Sequence, residues 1–185
     1  MKGLLAYLRY DLPLWLVGLL TNWWPDNGPA VRARGWLFSF FIGKCGRHFT
    51  AARDVTILTP QRLTVGDNVY FGRGAWINAC GDVEVEDEVM LGPYVVVASS
   101  THGFKDGSAF RGGFHPAPVK IGRGSWLAAH AVVGAGTAIG RGNLVGANAV
   151  VAKDTPDNVF VGGVPARIIG PRPDNPSEIM GRSDY

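Results

Sequence analysis

Cysteine is scarce in this 185-residue chain, where Cys45 and Cys80 are the only two. Two thiols in segments of unlike character do not make a disulfide framework, and neither a CxxC pair nor a Cys/His cluster with zinc spacing occurs. No metal is expected, and the reducing cytoplasm is the natural compartment. Charge is also sparse: Asp, Glu, Lys and Arg make up 18% of the chain, with a formal net charge of +3 and a pI near 9.0. That mild excess suits anionic partners such as phosphorylated cofactors or lipid headgroups. Nucleic acid is not among the expected partners, because the cations are scattered rather than gathered in a stripe with interleaved aromatics. The first apolar run falls short of the roughly 20 residues of a membrane span, since Arg9, Asp11 and Pro13 break it. A transmembrane helix is therefore not expected. Nor is a cleavable signal, because Lys2 is nearly alone as a charged leader and no small-residue site closes the run.

What is present divides the chain in three. Apolar residues at 46% exclude disorder for most of the length, and 185 residues suit one main domain with appendages. Residues 1–53 form an apolar, aromatic extension, expected to be helical, with Leu4, Leu8, Trp15, Leu19, Trp23, Trp24, Trp36 and Phe40 among its members. It either packs on the main domain or on a neighbouring subunit, or lies in a membrane interface with Lys2, Arg9, Arg32, Arg34, Lys44 and Arg47 meeting anionic headgroups. Residues 54–170 are the main domain, and 171–185 are a Pro-rich, polar tail.

The main domain is periodic. Every sixth residue is aliphatic or aromatic: Val65, Phe71 and Ile77, then Val85, Leu91 and Val97, then Ile121, Leu127, Val133, Ile139, Val145 and Val151. A small residue often follows, and four positions on come Val69, Ala75, Val89, Val95, Ser125, Ala131, Thr137 and Ala149. A period of six fits neither a helical face nor an alternating strand, but it fits a short strand plus a turn. Three such units close a triangular coil of about 18 residues, and coils stack at about 4.8 Å, giving roughly five coils of an all-β, left-handed parallel β-helix. The step from Ile77 to Val85 is eight residues, so two extra residues bulge near Gly81. The stretch 103–117 breaks the repeat with glycines and Pro116 and is expected to project as a loop, the kind of segment that carries binding function on a rigid scaffold.

Taken in order, Trp76-Ile77-Asn78, Ser100-Thr101-His102, the projecting loop, Pro118-Val119-Lys120-Ile121-Gly122, Trp126, Val150-Val151-Ala152-Lys153-Asp154 and Gly162-Gly163-Val164-Pro165-Ala166-Arg167 resemble the hexapeptide-repeat acyltransferases. The likeness is to the branch of maltose, galactoside and nodulation-factor acetyltransferases and the colanic-acid-type polysaccharide acetyltransferases. The extension does not read as the helical cap of the maltose and galactoside enzymes, which favours the polysaccharide-modifying relatives. This resemblance implies transfer of an acetyl group from acetyl-CoA to a sugar hydroxyl, by a homotrimer with its donor groove between two chains.

Acetyl transfer to a hydroxyl needs a base near neutral pH, and neutral imidazole is well matched to that task. His102 matches the family's catalytic histidine. Asn78 matches a family asparagine beside acceptor and thioester, Asp82 and Glu84 are candidates to fix the imidazole tautomer, and Arg111 and His115 are placed to touch the acceptor from the loop. On the donor side the resemblance implies Trp126 at the pantetheine arm, Ala129, Ala147 and Ala152 where small side chains let it approach the backbone, and Lys153 and Arg167 near the nucleotide phosphates. Two residues depart from the pattern: Ala128 stands where many relatives carry Gly, and Asn148 interrupts a glycine-serine pair. A γ-class carbonic anhydrase would share the fold but needs three zinc histidines whose spacing is absent. A serine acetyltransferase would carry a long helical N-terminal domain, and a non-catalytic scaffold would not bind CoA.

Overall fold

The structure is a computed structural model and describes residues 2–175; the end of the Pro-rich tail, 176–185, lies outside the described residues. From Lys44 onward short strands wind into a parallel β-helix with three faces. The first face stacks Lys44–Cys45, Leu63–Val65, Val83–Val85, Val119–Ile121 and Ala138–Ile139. The second stacks Thr50–Ala51, Tyr70–Phe71, Met90–Leu91, Trp126–Leu127, Leu144–Val145 and Val159–Gly162, and is closed by an antiparallel strand, Arg167–Pro171. The third stacks Thr56–Leu58, Trp76–Asn78, Val96–Ala98, Val132–Val133 and Val150–Val151.

Strand alternation explains the six-residue period: in each two- or three-residue strand one side chain points into the triangle while its neighbours point out. All twelve hexad residues from Val65 to Val151 are 2% exposed or less, and the residues four positions on are equally buried. Backbone bonds run from coil to coil throughout, for example from Gly66 N–H to the Val85 carbonyl at 2.8 Å. The expected β-helix is thus the observed one, with a different start. The first coil begins at Lys44, inside the segment assigned to the extension, with Cys45, Ala51 and Ile57 in the inward positions. Its recurrence was hidden by a second two-residue bulge at Thr59-Pro60, where Thr59 is left-handed and Pro60–Arg62 forms a 3-10 turn. Consequently Cys45, Val65 and Val85 stack at 20-residue spacing, while Ile121 and Ile139 stack at 18.

The extension is helical, as expected: α1 (Lys2–Ala6) runs through a π turn (Tyr7–Asp11) into α2 (Leu12–Thr21), followed by α3 (Gly28–Ser39). Arg9, Asp11 and Pro13 were expected to break the first apolar run, and they do not. Leu12 N–H donates to the Tyr7 carbonyl five residues back, so Pro13 falls in the first turn of the new register, where no N–H donor is needed. The resulting helix, Gly3–Thr21, is 19 residues with mean hydropathy 1.2, long and apolar enough to cross a membrane by length and composition.

The extension also caps the solenoid, one of its two expected arrangements, although the sequence does not read as a helical cap. Asn27 caps α3 through its side chain on Ala30 N–H at 3.0 Å. Gly35 lies so close to the Phe49 carbonyl that any Cβ would collide with it, and Phe38 and Ile42 complete the core over Phe49, which packs edge-on against Phe71 at 4.9 Å. Arg34, fully buried rather than turned toward headgroups, ties the pieces together. It donates to the Thr21 carbonyl and the Ala51 carbonyl, both at 2.9 Å, and pairs with Asp26 at 3.3 Å.

Candidate active site

The loop leaves the third face between coils three and four on a two-stranded antiparallel hairpin, Ser100–His102 against Phe114–Pro116. Pro116 is tolerated because this hairpin joins none of the solenoid sheets. Its root is fixed by polar bonds to the strand above. Ser99, fully buried, donates from Oγ to the Asn78 carbonyl at 2.6 Å and accepts from Gly81 N–H at 2.8 Å. Asn78 Nδ2 donates to Ser100 Oγ at 3.1 Å, while its Oδ1 accepts from Cys80 N–H at 3.2 Å. The bulge at Gly81 is what permits this closeness, since a Cβ there would strike the Ser99 carbonyl.

His102 follows on that strand. Its ring is solvent-exposed and stands edge-on to Phe114, 5.9 Å between centroids, and makes no hydrogen bond or ion pair with any of the described residues. The two carboxylates considered as its orienters are engaged elsewhere. Asp82 makes a two-pronged pair with Arg62 at 2.7 and 2.6 Å, which holds its carboxyl below the usual range, and Glu84 pairs with Lys120 at 3.1 Å. Across the hairpin His115 pairs in register with Thr101, and its Nε2 lies 3.2 Å from the Gly112 carbonyl, inside the loop. Arg111 is exposed on the loop and 3.7 Å from Asp106.

The donor-side residues lie on coils four and five. Trp126 faces outward on the second face, 42% exposed, between Met90 and Leu144. Ala129 and Ala147 occupy one corner on successive coils, joined by the bond from Asn148 N–H to the Ala129 carbonyl at 3.0 Å. Asn148 there is left-handed, like His130, which stacks on Tyr94 at 5.1 Å. Ala152 and Lys153 follow the last strand of the third face, and the bond from Ala166 N–H to the Val150 carbonyl brings Arg167 to the same end. Lys153 forms no ion pair among the described residues, and Arg167 donates only to its neighbour's carbonyl, Ala166 O at 3.0 Å. Most other arginines are paired with carboxylates, as Arg47, Arg53, Arg62, Arg73, Arg123 and Arg141 are. Small exposed corners plus two uncommitted cations at one end fit a pantetheine arm and its phosphates.

Within one chain, then, the structure links Asn78 through Ser100 to the His102 strand, turns His115, next to Phe114, to the opposite face of the hairpin, and brings Lys153 and Arg167 to the far end of the solenoid. Sequence reasoning gave no role to Ser99, Ser100 and Phe114, the residues that root and flank the His102 strand. Ser99 carried a signal: a small polar residue two positions past an inward valine, at a corner with an extra bulge above it.

Comparison with known proteins bears on the family and the fold. The family described as bacterial transferase hexapeptide (six repeats) matches residues 118–153. The protein named colanic acid biosynthesis acetyltransferase WcaF in Escherichia coli (strain K12) is 31% identical over 176 residues, covering 92% of each chain. The galactoside O-acetyltransferase of Escherichia coli (strain K12) is 29% identical over 126 residues, 65% of this chain and 62% of that one. The fold is shared with a hexapeptide-repeat acetyltransferase of Vibrio cholerae O1 biovar eltor crystallised with acetyl coenzyme A, at TM-score 0.75 and 21% identity over 88% of this chain and 86% of that one. With a relative matched almost end to end and the same six-residue repeat filling its core, this chain belongs to the hexapeptide-repeat acetyltransferase family.

Proposed function

We propose that this enzyme transfers an acetyl group from acetyl-CoA to a sugar hydroxyl of a polysaccharide or glycolipid precursor, with His102 as general base. The observation that carries this reading is a lone, accessible imidazole on a strand whose root is pinned by Asn78, Ser99 and Ser100. Acetyl-CoA supplies the activated carbonyl and a thiolate leaving group. His102 takes the hydroxyl proton as the oxygen attacks, holds it as imidazolium, and delivers it to the departing sulfur. Asn78 acts chiefly by positioning, because both ends of its amide are already bonded, while Arg111 reaches the acceptor from the loop. Lys153 and Arg167 neutralise the donor's phosphates, with Trp126 and the alanines along its arm.

The working unit in this reading is a trimer. The outward residues of the first face are mostly polar: Lys44, Thr64, Glu84 and Lys120, followed by Ala138. Those of the other two are mostly apolar: after Thr50, the second has Tyr70, Met90 and Trp126 beside the buried Leu144, and after Thr56 the third has Trp76, Val96, Val132 and Val150, with Asn78 also outward. Apolar ladders on two faces call for cover by neighbouring chains, and a cleft closed that way would bring donor residues of one chain to His102 of another and supply the group that orients it. The extension suits the inner face of the cytoplasmic membrane. Leu16, Leu20, Trp15 and Trp23 are exposed on α2 and just beyond it, with Arg9 and Arg32 nearby, yet Leu14 is packed into the solenoid core, which favours lying on the bilayer over crossing it.

The test is acetyl-CoA consumption over a panel of free, nucleotide-linked and glycolipid sugars. Turnover with an O-acetylated sugar as product is expected for at least one acceptor. CoA binding without turnover on any sugar would contradict the acceptor class, and no CoA binding would favour a scaffold.

A further inference from the structure

An open groove of about 530 Å³ runs between α2 and the third-face strand of the first coil. Its walls are Leu12, Trp15, Leu19, Val55, Ile57 and Leu58, and no lysine or arginine lines it. Of its two carboxylates, Asp54 is paired with Arg73 at 3.2 Å and Asp11 sits in the π turn at the other end. The volume is that of a small-molecule site, and although Tyr7, Asn22 and Thr56 also line it, the apolar walls admit hydrocarbon while two carboxylates and no lining cation disfavour a phosphate or a fatty-acid carboxylate.

The groove's direction gives its occupant. Asp54 N–H donates to Asn22 Oδ1 at 3.2 Å, which sets the end of α2 over the start of the strand, and the π turn packs beside Pro60–Arg62 at the strand's far end. Leu58 therefore lies at the π-turn end of the groove. Leu58 pairs in register with Asn78 one strand down, both side chains pointing outward, and Asn78 is bonded to Ser100 on the His102 strand. The wall residue Leu58 thus stands one strand from Asn78 of the candidate acceptor site. Four of its large side chains face it while remaining open to solvent: Tyr7, Trp15, Leu19 and Leu58 are each between 42% and 60% exposed.

We infer that the acceptor is a glycoside of a long, uncharged hydrocarbon chain, with the chain lying along α2 and the sugar presented at Asn78 and His102. This inference rests on the sugar-acceptor reading above and adds the tail. Each methylene taken from water into such a trough strengthens binding roughly threefold to fourfold when fully buried, so a half-open groove still separates long from short chains clearly.

The experiment compares kcat/KM for methyl, butyl and octyl glycosides of one accepted sugar, below their micelle concentrations, in the wild type and in Leu19→Ser and Leu58→Ser. A rise of about tenfold or more from methyl to octyl is expected, with the octyl-to-methyl ratio falling toward one in both variants. An octyl glycoside bearing a diazirine at its chain end should label the Leu12–Leu19 segment in the full-length protein, a readout that does not depend on turnover. Equal kcat/KM for all three glycosides in an active enzyme would overturn the hydrocarbon inference alone. A chain-length effect that survives in both variants, with labelling elsewhere, would overturn this groove as its seat. Absence of turnover on every sugar would overturn the acceptor reading, and this inference with it.

Discussion

Individual residues divide between those that build the triangle and those that act on it. Cys45 belongs to the first group: it takes the inward hexad position of the first coil, and burial, with the nearby Asp67 carboxylate adding to it, pushes its thiol up to about 11. Because the thiolate is the reactive form, Cys45 is expected to stay unlabelled by a thiol reagent at pH 8 in the native protein and to react after unfolding. Rapid native modification of Cys45, located by peptide mass mapping, would contradict that placement. His102 belongs to the second group and was legible in the sequence through Ser100-Thr101-His102 ahead of a repeat-breaking loop. The role of Ser99 was not, because its bonds to Asn78 and Gly81 cross between coils and the sequence shows only a small polar residue at a corner near a bulge.

Among the elements, the strands from Val65 to Val151 were readable because each hexad contributes one inward side chain at fixed spacing. The first coil was not, since Cys45 and Ala51 are poor markers of an inward position and the Thr59-Pro60 bulge shifts the period. The continuity of α1 into α2 was also hidden, because a proline reads as a break unless a widened turn precedes it. The helical cap depends on Arg34, whose guanidinium satisfies carbonyls from α2 and from the first coil at once. Replacing Arg34 by Leu breaks its pair with Asp26, which keeps Arg53, and removes its bonds to the Thr21 and Ala51 carbonyls, and a loss of about 3 kcal/mol in unfolding free energy is expected. Denaturant titration measures it, and a change below about 0.5 kcal/mol would show that the cap is held by its apolar contacts alone.

At the scale of the whole molecule, carboxylates staple the coils along the corners. Asp67 accepts Arg47 N–H, Asp87 accepts Asp67 N–H, and Asp157 accepts Arg141 N–H. Glu86 is tied to Lys120 at 2.7 Å and to Arg123 N–H at 2.8 Å, contacts that hold its carboxyl below the ordinary glutamate value. A lowered folded-state pKa means stability that is present above the unfolded value and is lost as pH falls through the folded one. The melting temperature should therefore decline as pH drops below about 4.5, and Glu86→Gln should flatten that decline. A melting temperature unchanged down to pH 3 would count against the corner carboxylates as staples. The apolar second and third faces make a prediction of their own: light scattering should give a trimer, and a stable, fully active monomer would contradict the shared cleft.

The central claim is that His102 is the base of an acetyl transfer, and the most direct measurement is turnover of wild type against His102→Ala with CoA binding followed in parallel. The account predicts a fall in kcat of about 10²–10⁴ with CoA affinity retained. A variant that keeps its turnover, or one that loses activity only because CoA no longer binds, would contradict it.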